Sequence, residues 1–560
     1  MSDELTRMEL KPRLKGYLWA ALVLLVLWFG FDWFVVPALQ ASGIGSVDMR
    51  TESHWKIAGV IGLLGLFYGA HWGANADTYG DKRREEYRSR IMAEKAEKLA
   101  EQARTYSLEI RGSGLAVDDW HQTSIWREIE KKKDNFASIY SQNPNDYDPS
   151  RTSRDITQSI NTRVAFKHAA SDSVAYWPIP VFALGPPDPY AKGYKAEGLI
   201  TEGRNKATLG VSLFLWEEDE NSTHAQEMIE KLFYFFDSNP QVPQALIVSE
   251  DGDVTRDIYR EPGTPGLPSW LQVVPTVFES MTGLLVTRSD RVDRYIRPYV
   301  TYEIEDNQNK NTDLGKLWFF YWERSRSFRD SYKASEKAKG VEPPKVPGTM
   351  SSAYWHTQLP DLWRTLSNRG SGDFTPSPWL PARWARHQVD EFDAAPVLGY
   401  LHRPIKTSMH DEAGKLLKPA LQANAVQAAW LQALNTLPKG QKPARVFYDS
   451  TDNTAGEIAL TNALHALNVD GHGLELGNVE EGYDIGRRLG NTGVSSALVQ
   501  INLATMASYQ QGGASAVVYS GKDGSVTVQM VSPPNEERKV RNHKNRGNDP
   551  FKYGAPGGKP

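Results

Sequence analysis

Residues 209–249 read LGVSLFLWEEDENSTHAQEMIEKLFYFFDSNPQVPQALIVS, and this run decides the fold. Leu209 to Trp216 is rich in strand formers. Thr223-His-Ala-Gln226 places an amide three residues after a hydroxyl, the capping-box pattern that opens a helix by satisfying its first orphan N–H groups. Ala225 to Phe236 then carries apolar residues at helical spacing, and Gln244 to Ser249 reads as a second strand. Strand, helix, strand in that order predicts a βαβ unit. Asp251-Gly252 signals a turn, after which Asp253 to Tyr259 is expected to return antiparallel.

A related pattern occupies the last third. Val397 to Leu401 is a short strand, Leu421 to Leu434 is helical, and Arg445 to Tyr448 is a strand. Thr454-Ala-Gly-Glu457 is another capping box, opening a helix to about Leu467. Val494 to Tyr509 is helical, and strands Ala514 to Tyr519 and Ser525 to Val531 flank an Asp523-Gly524 hairpin turn. FDSNPQVPQALIVS, ending at Ser249, and LNTLPKGQKPARVFYD, ending at Asp449, both run helix, Asn, proline loop and buried strand. That parallel predicts two similar α/β halves.

Between them, Asp313 to Ala334 is an aromatic helix and Glu336 to Ser352 a Lys/Pro linker. Ala353 to Asp393 then sets Trp355, Trp363, Trp379 and Trp384 among proline and arginine without helix or strand periodicity. Two readings stand: interdomain packing, or a docking surface, where Trp, Tyr and Arg are enriched. Docking makes these four tryptophans the candidate partner-binding residues. At the far end, Pro533 to Pro560 is polar, Gly/Pro-rich and basic through Arg538, Lys539, Arg541, Lys544 and Arg546, and is expected to be disordered.

The N-terminus places the chain in the cell. Tyr17 to Ala38 is apolar apart from Asp32 and long enough to span a bilayer, which takes roughly 20 residues. Ile57 to Ala74 is a second apolar run, rich in glycine and containing His71. Gly65, Gly69 and Gly73 share a helix face that permits close approach of another helix, whether the first span or a second copy. Arg7, Lys11, Arg13 and Lys15 precede the first span, Arg50 alone lies between the spans, and Lys82, Arg83, Arg84, Arg88 and Arg90 follow the second. The positive-inside rule then puts both ends in the cytoplasm. A cleaved signal peptide is the rival for the first run, and failure of the second to span would leave the body in the periplasm. Asp81 to Arg104 is charged and rich in helix formers, a stalk leaving the membrane.

The expected fold is therefore α/β: an N-terminal transmembrane helical hairpin and helical stalk, followed by two similar α/β halves. The expected divisions are a hairpin over 1–76, a stalk over 77–106, a first α/β domain over 107–335, a linker and aromatic segment over 336–392, a second α/β domain over 393–532, and a tail over 533–560.

A length of 560 residues with 17 Trp, 24 Tyr and 19 Phe supplies ample packed core. The absence of cysteine rules out disulfides, thiolate metal sites and a cysteine nucleophile. A net charge of −4 argues against a nucleic-acid partner, which selects for a basic face. The G-x-S-x-G elbow, H-E-x-x-H and the phosphate-binding glycine loops do not occur, so no catalytic residue, metal or cofactor is assigned. The best remaining chemical candidate is the loop after the Arg445 strand, where Asp449 and Asp452 could serve a tethered hydrolase; helix capping is the simpler use. His465, Asp470 and His472 read as structural, and Glu250, Asp251, Asp253 and Asp257 as a solvated hairpin, since glycine falls second where a calcium loop needs it sixth.

By its plan the chain resembles the type VI secretion lipase adaptor family. The resemblance rests on the N-terminal hairpin and on the stretches VAYWPIPVFALGPPDPYAKGY, GVSLFLWEEDE, QALIVSEDGD and VSSALVQINLATMASYQQGGASAVVYSG. It implies a non-enzymatic adaptor at the bacterial inner membrane that binds a phospholipase-type toxin effector in the cytoplasm and brings it to the VgrG spike. It implies no catalytic residue, cofactor or metal. The alternatives are the tethered hydrolase and a structural subunit of an envelope complex.

The topology is directly testable. A reporter active only in the periplasm is expected to be silent when fused after Arg104 and active when fused near Asp48; the reverse pattern contradicts the cytoplasmic orientation.

Overall fold

A computed structural model describes residues 14–42, 59–74, 92, 106–186, 194–217, 224–258, 260, 263–338, 349–521 and 523–553. Apart from Met92, the expected stalk, Asp81 to Arg104, lies outside these residues, as do the Thr223 capping hydroxyl and most of the Lys/Pro linker. The chain divides into two compact units, Met1–Ala103 and Arg104–Pro560.

In the first unit a helix over Leu14–Gly30 continues through a wider π turn, Phe31–Val35, into Val36–Ala41. Leu14–Val35 is the one described helix long and apolar enough to cross a membrane. Residues 59–74 are also helical. The Tyr17 hydroxyl meets His71 Nδ1 at 2.7 Å, and the Tyr17 and Tyr68 rings pack edge to face. A Cβ added at Gly65, Gly69 or Gly73 would meet no atom within 4 Å, so this face is not the one turned to the first helix. The described helix falls short of a second span, and the transmembrane hairpin is not established.

The second unit runs β1 (Ser107–Val117), β2 (Trp120–His121), α1 (Thr123–Lys131), α2 (Arg151–Ala170), β3 (Pro178–Leu184), α3 (Tyr194–Lys206), β4 (Leu213–Trp216), α4 (Ala225–Ser238), β5 (Gln244–Asp251), α5 (Asp253–Ile258) and β6 (Ser280–Thr287). Then come α6 (Ser289–Tyr295), α7 (Asp313–Ala338), α8 (Ser352–Trp363) and α9 (Arg386–Ala394). It closes with β7 (Gly399–His402), β8 (Ile405–Thr407), α10 (Pro419–Leu434), β9 (Pro443–Tyr448), α11 (Thr454–Asn468), β10 (Gly482–Asp484), α12 (Ile485–Leu489), α13 (Ser496–Gln511), β11 (Ala514–Ser520), β12 (Val526–Ser532) and α14 (Glu536–Arg546).

All of these strands lie in one 12-stranded mixed sheet, ordered β10-β9-β11-β12-β7-β1-β6-β5-β3-β4 with β2 on β1 and β8 on β12. Outward from the centre the order is β1-β6-β5-β3-β4 one way and β7-β12-β11-β9-β10 the other. Each arm has two antiparallel pairings and then two parallel ones. The arms join through the antiparallel pair β1–β7, in register from Ser107↔His402 to Ile110↔Gly399. Two α/β halves thus share one sheet. By position β5 corresponds to β11 and β3 to β9, so the expected match of the Ser249 strand with the Asp449 strand aligned non-equivalent elements. A proline loop before a buried strand marks many helix-to-strand connections, and cannot say which strand follows.

The sheet lies between two helical layers. Alternate residues of β1, β3, β5 and β6, among them Ala116, Val181, Leu246 and Leu285, face α2 and α3. Residues of β9, β11 and β12 such as Val446, Ala516 and Val528 face α10 and α11. The opposite face of both arms shares one core with α1, α4 and α13. Helix α13 is its centre: every residue from Ala497 to Tyr509 is buried.

Three expectations are corrected. Residues Asp253–Ile258 form helix α5 instead of a returning strand, because Glu279 accepts hydrogen bonds from the Val254 N–H and the Thr255 hydroxyl and so caps the first turn; the antiparallel neighbour of β5 is β6. Within the described part of the tail, Glu536–Arg546 folds as α14, capped by Asn535 and docked through buried Asn542, whose side chain bonds both the N–H and the carbonyl of Val397 at 3.1 and 2.7 Å. The segment from Ala353 contains α8 and α9 and joins the core of the first arm.

Glycine at 112 and 114 sets the spacing of β1 and α2. A Cβ on Gly112 would lie 2.0 Å from the Ala169 carbonyl oxygen, and one on Gly114 would lie 1.9 Å from that of Ala165. Both contacts are with backbone, which cannot swing aside. Gly114→Ala is therefore expected to lower the stability of the full-length chain by about 1–3 kcal/mol through forced displacement of α2, read from chemical denaturation; an unchanged midpoint contradicts the packing described.

Candidate functional site

Asp449 ends β9 at the carboxyl edge of the sheet. Its Oδ1 accepts from the Thr451 N–H at 2.8 Å, and its Oδ2 accepts from the Ser496 hydroxyl at the start of α13. Burial, the largest influence, raises its pKa above the usual carboxylate value. Next to it Ser450 donates to Asp484 at 2.5 Å, and Asp484 caps α12 by accepting from the Arg487 N–H at 3.2 Å. Gly486 is required here, since a Cβ would stand 2.5 Å from Asp449 Oδ1. Asp452 sits exposed in a turn at φ +52°. The two carboxylates are thus not brought together: one is used in holding a helix and the other faces water. Among the described residues, no group of three or more His, Asp or Glu is placed to hold a metal ion.

The acids after β5 are not a solvated hairpin. Asp251 is fully buried and takes both Arg256 nitrogens, at 2.8 and 2.9 Å, and the Val494 N–H at 2.8 Å. Glu250 is buried and accepts from Gln158 at 2.6 Å and Thr162 at 2.7 Å; burial pushes its pKa up to about 7. Burial likewise pushes the Glu279 carboxyl, the cap of α5, up to about 8. Asp253 receives the N–H groups of Thr276 and Val277, and Asp257 pairs with Arg151 and accepts from the Leu267 N–H at 2.9 Å. Every acid is occupied: Glu250 ties β5 to side chains of α2, and Asp251, Asp253 and Asp257 hold the backbone of neighbouring loops.

His465 and Asp470 are exposed, on α11 and in the turn after it, and His472 is partly buried in the same turn. The His472 N–H and carbonyl bond Leu467 and Trp430. No hydrogen bond joins these three side chains among the described residues, and they end a helix.

The four tryptophans expected to face a partner lie inward. Trp355 is fully buried against Phe320 and Tyr321 of α7, with centroids 5.7 and 6.0 Å apart. Trp379 packs on Phe235 and His356, and Trp384 on Trp177 and Phe392. Trp363 is partly buried on the same cluster. Their irregular spacing, suggestive of a surface, reflects a lid of short helices and bends that closes over the apolar face of the first arm.

One tryptophan of the second unit does reach solvent. Trp270 is the only exposed tryptophan among the described residues of the second unit, at 79% exposure, with Leu271 at 51% beside it. Its φ is +65°, a left-handed conformation that costs a bulky residue about 1–3 kcal/mol. The loop that carries it is fixed: the Trp270 N–H bonds the Pro149 carbonyl at 2.8 Å, Arg154 bonds the Pro268 carbonyl at 2.6 Å, and Gln272 bonds the Asn145 carbonyl at 3.1 Å. Sequence reasoning passed over this loop. The available signal was a Trp-Leu pair inside the proline- and glycine-rich run EPGTPGLPSWLQVVP, which has no period to bury it.

Family models describe two parts of the chain. "Type VI lipase adapter protein Tla3, N-terminal" matches residues 106–269, and "Type VI lipase adapter protein Tla3, C-terminal" matches 398–533. Together they cover more than half of the sequence. Among solved structures, the ishigamide ketosynthase/chain length factor is 10% identical over 77% of this chain and 100% of its own, with a TM-score of 0.38. A ketosynthase from module 6 of the bacillaene synthase of Bacillus subtilis 168 is 7% identical over 77% of this chain and 72% of its own, with a TM-score of 0.39. Likenesses at these scores carry no inference about this chain.

The buried tryptophans yield a paired test. The Trp384 indole N–H has no hydrogen-bond partner among the described residues, so its contribution is packing. Trp384→Ala is expected to destabilise the chain by about 3–5 kcal/mol, and Trp384→Phe by much less; equal melting of wild type and Trp384→Ala contradicts the buried placement.

Proposed function

We infer the function from one premise: the chain belongs to the type VI lipase adapter family. The proposed role is a non-enzymatic adapter that binds a phospholipase effector in the cytoplasm and brings it to the VgrG spike for loading into a type VI secretion system. The observation that carries this reading is the pair of family matches, which fall on both arms of the sheet. In the proposed arrangement an N-terminal hairpin tethers the chain to the bacterial inner membrane, with residues 104–560 in the cytoplasm. The excess of Lys and Arg before the first apolar run and after the second supports that orientation.

The state of Asp449 favours an adapter over a tethered hydrolase. Asp449 is held by Thr451 and Ser496 as a fastener of α13, and Asp452, its expected partner in such a site, stands apart from it in an exposed turn. The competing role as a structural subunit of an envelope complex predicts different company. Full-length tagged chain, co-expressed with a type VI lipase effector and a VgrG protein, is expected to recover both in near-stoichiometric amounts, and the effector alone when VgrG is omitted. Recovery of envelope proteins with no effector contradicts the adapter role.

A further inference from the structure

We propose that the loop from Gly263 to Thr276 is the effector-docking surface of this chain, with the Trp270 indole and Leu271 side chain as anchors entering an apolar pocket of the lipase partner. The proposal rests on the adapter reading and goes beyond it by assigning the site. A protein partner is held by a few large, desolvated side chains, tryptophan foremost. Among the described residues of the second unit, Trp270 is the one tryptophan open to such use. Ile258, at 47% exposure, sits at the foot of the same loop.

The loop is built rather than loose. Its foot is held by Asp253, which accepts from the Thr276 and Val277 N–H groups at 2.7 and 3.1 Å. Asp257 takes the Leu267 N–H at 2.9 Å. Glycine at 266 lets the chain pass Arg260 and Asp257, where a Cβ would come within 3.1 Å of both. Arg154, Gln272 and the Trp270 N–H itself tie the tip to residues 145–154. Little freedom remains to be lost on binding, and such preorganisation turns exposed area into affinity. A left-handed tryptophan held in water by this many bonds is a strained arrangement with no return inside the chain, and strain of that kind marks functional sites.

The charges around the loop favour a protein pocket over a lipid surface. Arg151 pairs with Asp155 and Asp257, Arg260 pairs with Asp257 at 3.1 Å, and Arg154, which makes no ion pair among the described residues, lies near Asp148, so three arginines stand against three aspartates. Attraction to anionic lipid depends on an excess of Lys and Arg near the surface, and here the balance of charges leaves an apolar tip inside a near-neutral rim. The complementary partner surface is an apolar pocket of low net charge.

The test uses full-length chain in detergent and a co-purified type VI lipase effector. Trp270→Ala with Leu271→Ala is expected to weaken effector binding roughly thirtyfold or more, as loss of a hot-spot anchor does, with melting unchanged. Tyr302→Ala, which removes an aromatic side chain 78% exposed elsewhere, is expected to leave affinity unchanged. Because the chain has no cysteine, Ser269→Cys provides a single thiol beside the anchor for a water-soluble maleimide; bound effector is expected to slow its labelling at least tenfold. Wild-type affinity in the folded double variant overturns the proposal while leaving the adapter reading intact, whereas failure of the wild type to bind any lipase effector removes that reading itself. Protection of the thiol without effector also overturns the proposal: in nanodiscs of phosphatidylglycerol and phosphatidylethanolamine it assigns the patch to lipid, and on raising the concentration of the chain it assigns the patch to a second copy.

Discussion

A helix without a solvent face is the constraint on which the second unit depends. Along α13 every residue from Ala497 to Tyr509 is buried, including Gln500, Asn502, Thr505 and Ser508. A buried polar group left unpaired costs about 1–3 kcal/mol, so the surroundings must answer each one. Ser113 of β1 donates to Asn502 at 2.6 Å, Asn502 returns a bond to the Leu498 carbonyl, Thr505 bonds the Ile501 carbonyl, and Ser508 meets Ser515 of β11. At the entry to the helix Asp251, from the first arm, holds the Val494 N–H, and Asp449, from the second, holds the Ser496 hydroxyl. One helix therefore ties both arms together. Of the two carboxylates that sequence offered as chemistry, Asp449 is a fastener for it and Asp452 faces water.

The continuous sheet has a consequence for recognition. Exposed sheet edges invite strand addition by partners, and the outer strand β4 is covered. The Trp216 N–H donates to the Met350 carbonyl at 3.0 Å, and the Phe214 carbonyl accepts from the Tyr321 and Thr349 hydroxyls. At the other end β10 is three residues long and wholly buried. With both ends of the sheet so treated, strand addition finds no open edge there. The loop of Trp270 combines exposure with a fixed backbone.

What the sequence disclosed divides along physical lines. Elements whose side chains repeat with a local period were legible: β5, α4, α10, β9, α13, β11 and the Asp523-Gly524 hairpin all stand within a few residues of expectation. The mixed α/β character of both stretches was legible too, but not which strands correspond, because strand order is set by long-range pairing that leaves no local mark. Features decided by a distant partner were not legible. Residues Asp253–Ile258 have the composition of a strand-capable turn and become helical through Glu279, and the basic tail orders because Asn542 finds the backbone of Val397. Trp355, Trp379 and Trp384 lacked periodicity because they belong to a lid, which packs without repeating. The exposed loop was missed for the converse reason: nothing local distinguishes a tryptophan that a fold displays from one that it buries.

The central claim is a rigid two-armed scaffold that displays a small docking element, and hydrogen exchange of the full-length chain with and without bound lipase effector tests it most directly. The account predicts that amides of β1, β7 and α13 exchange slowest in both states, and that effector adds protection chiefly across residues 263–276 and the adjoining start of α2. Fast exchange in α13, or effector protection spread over the sheet with none in that loop, would contradict it.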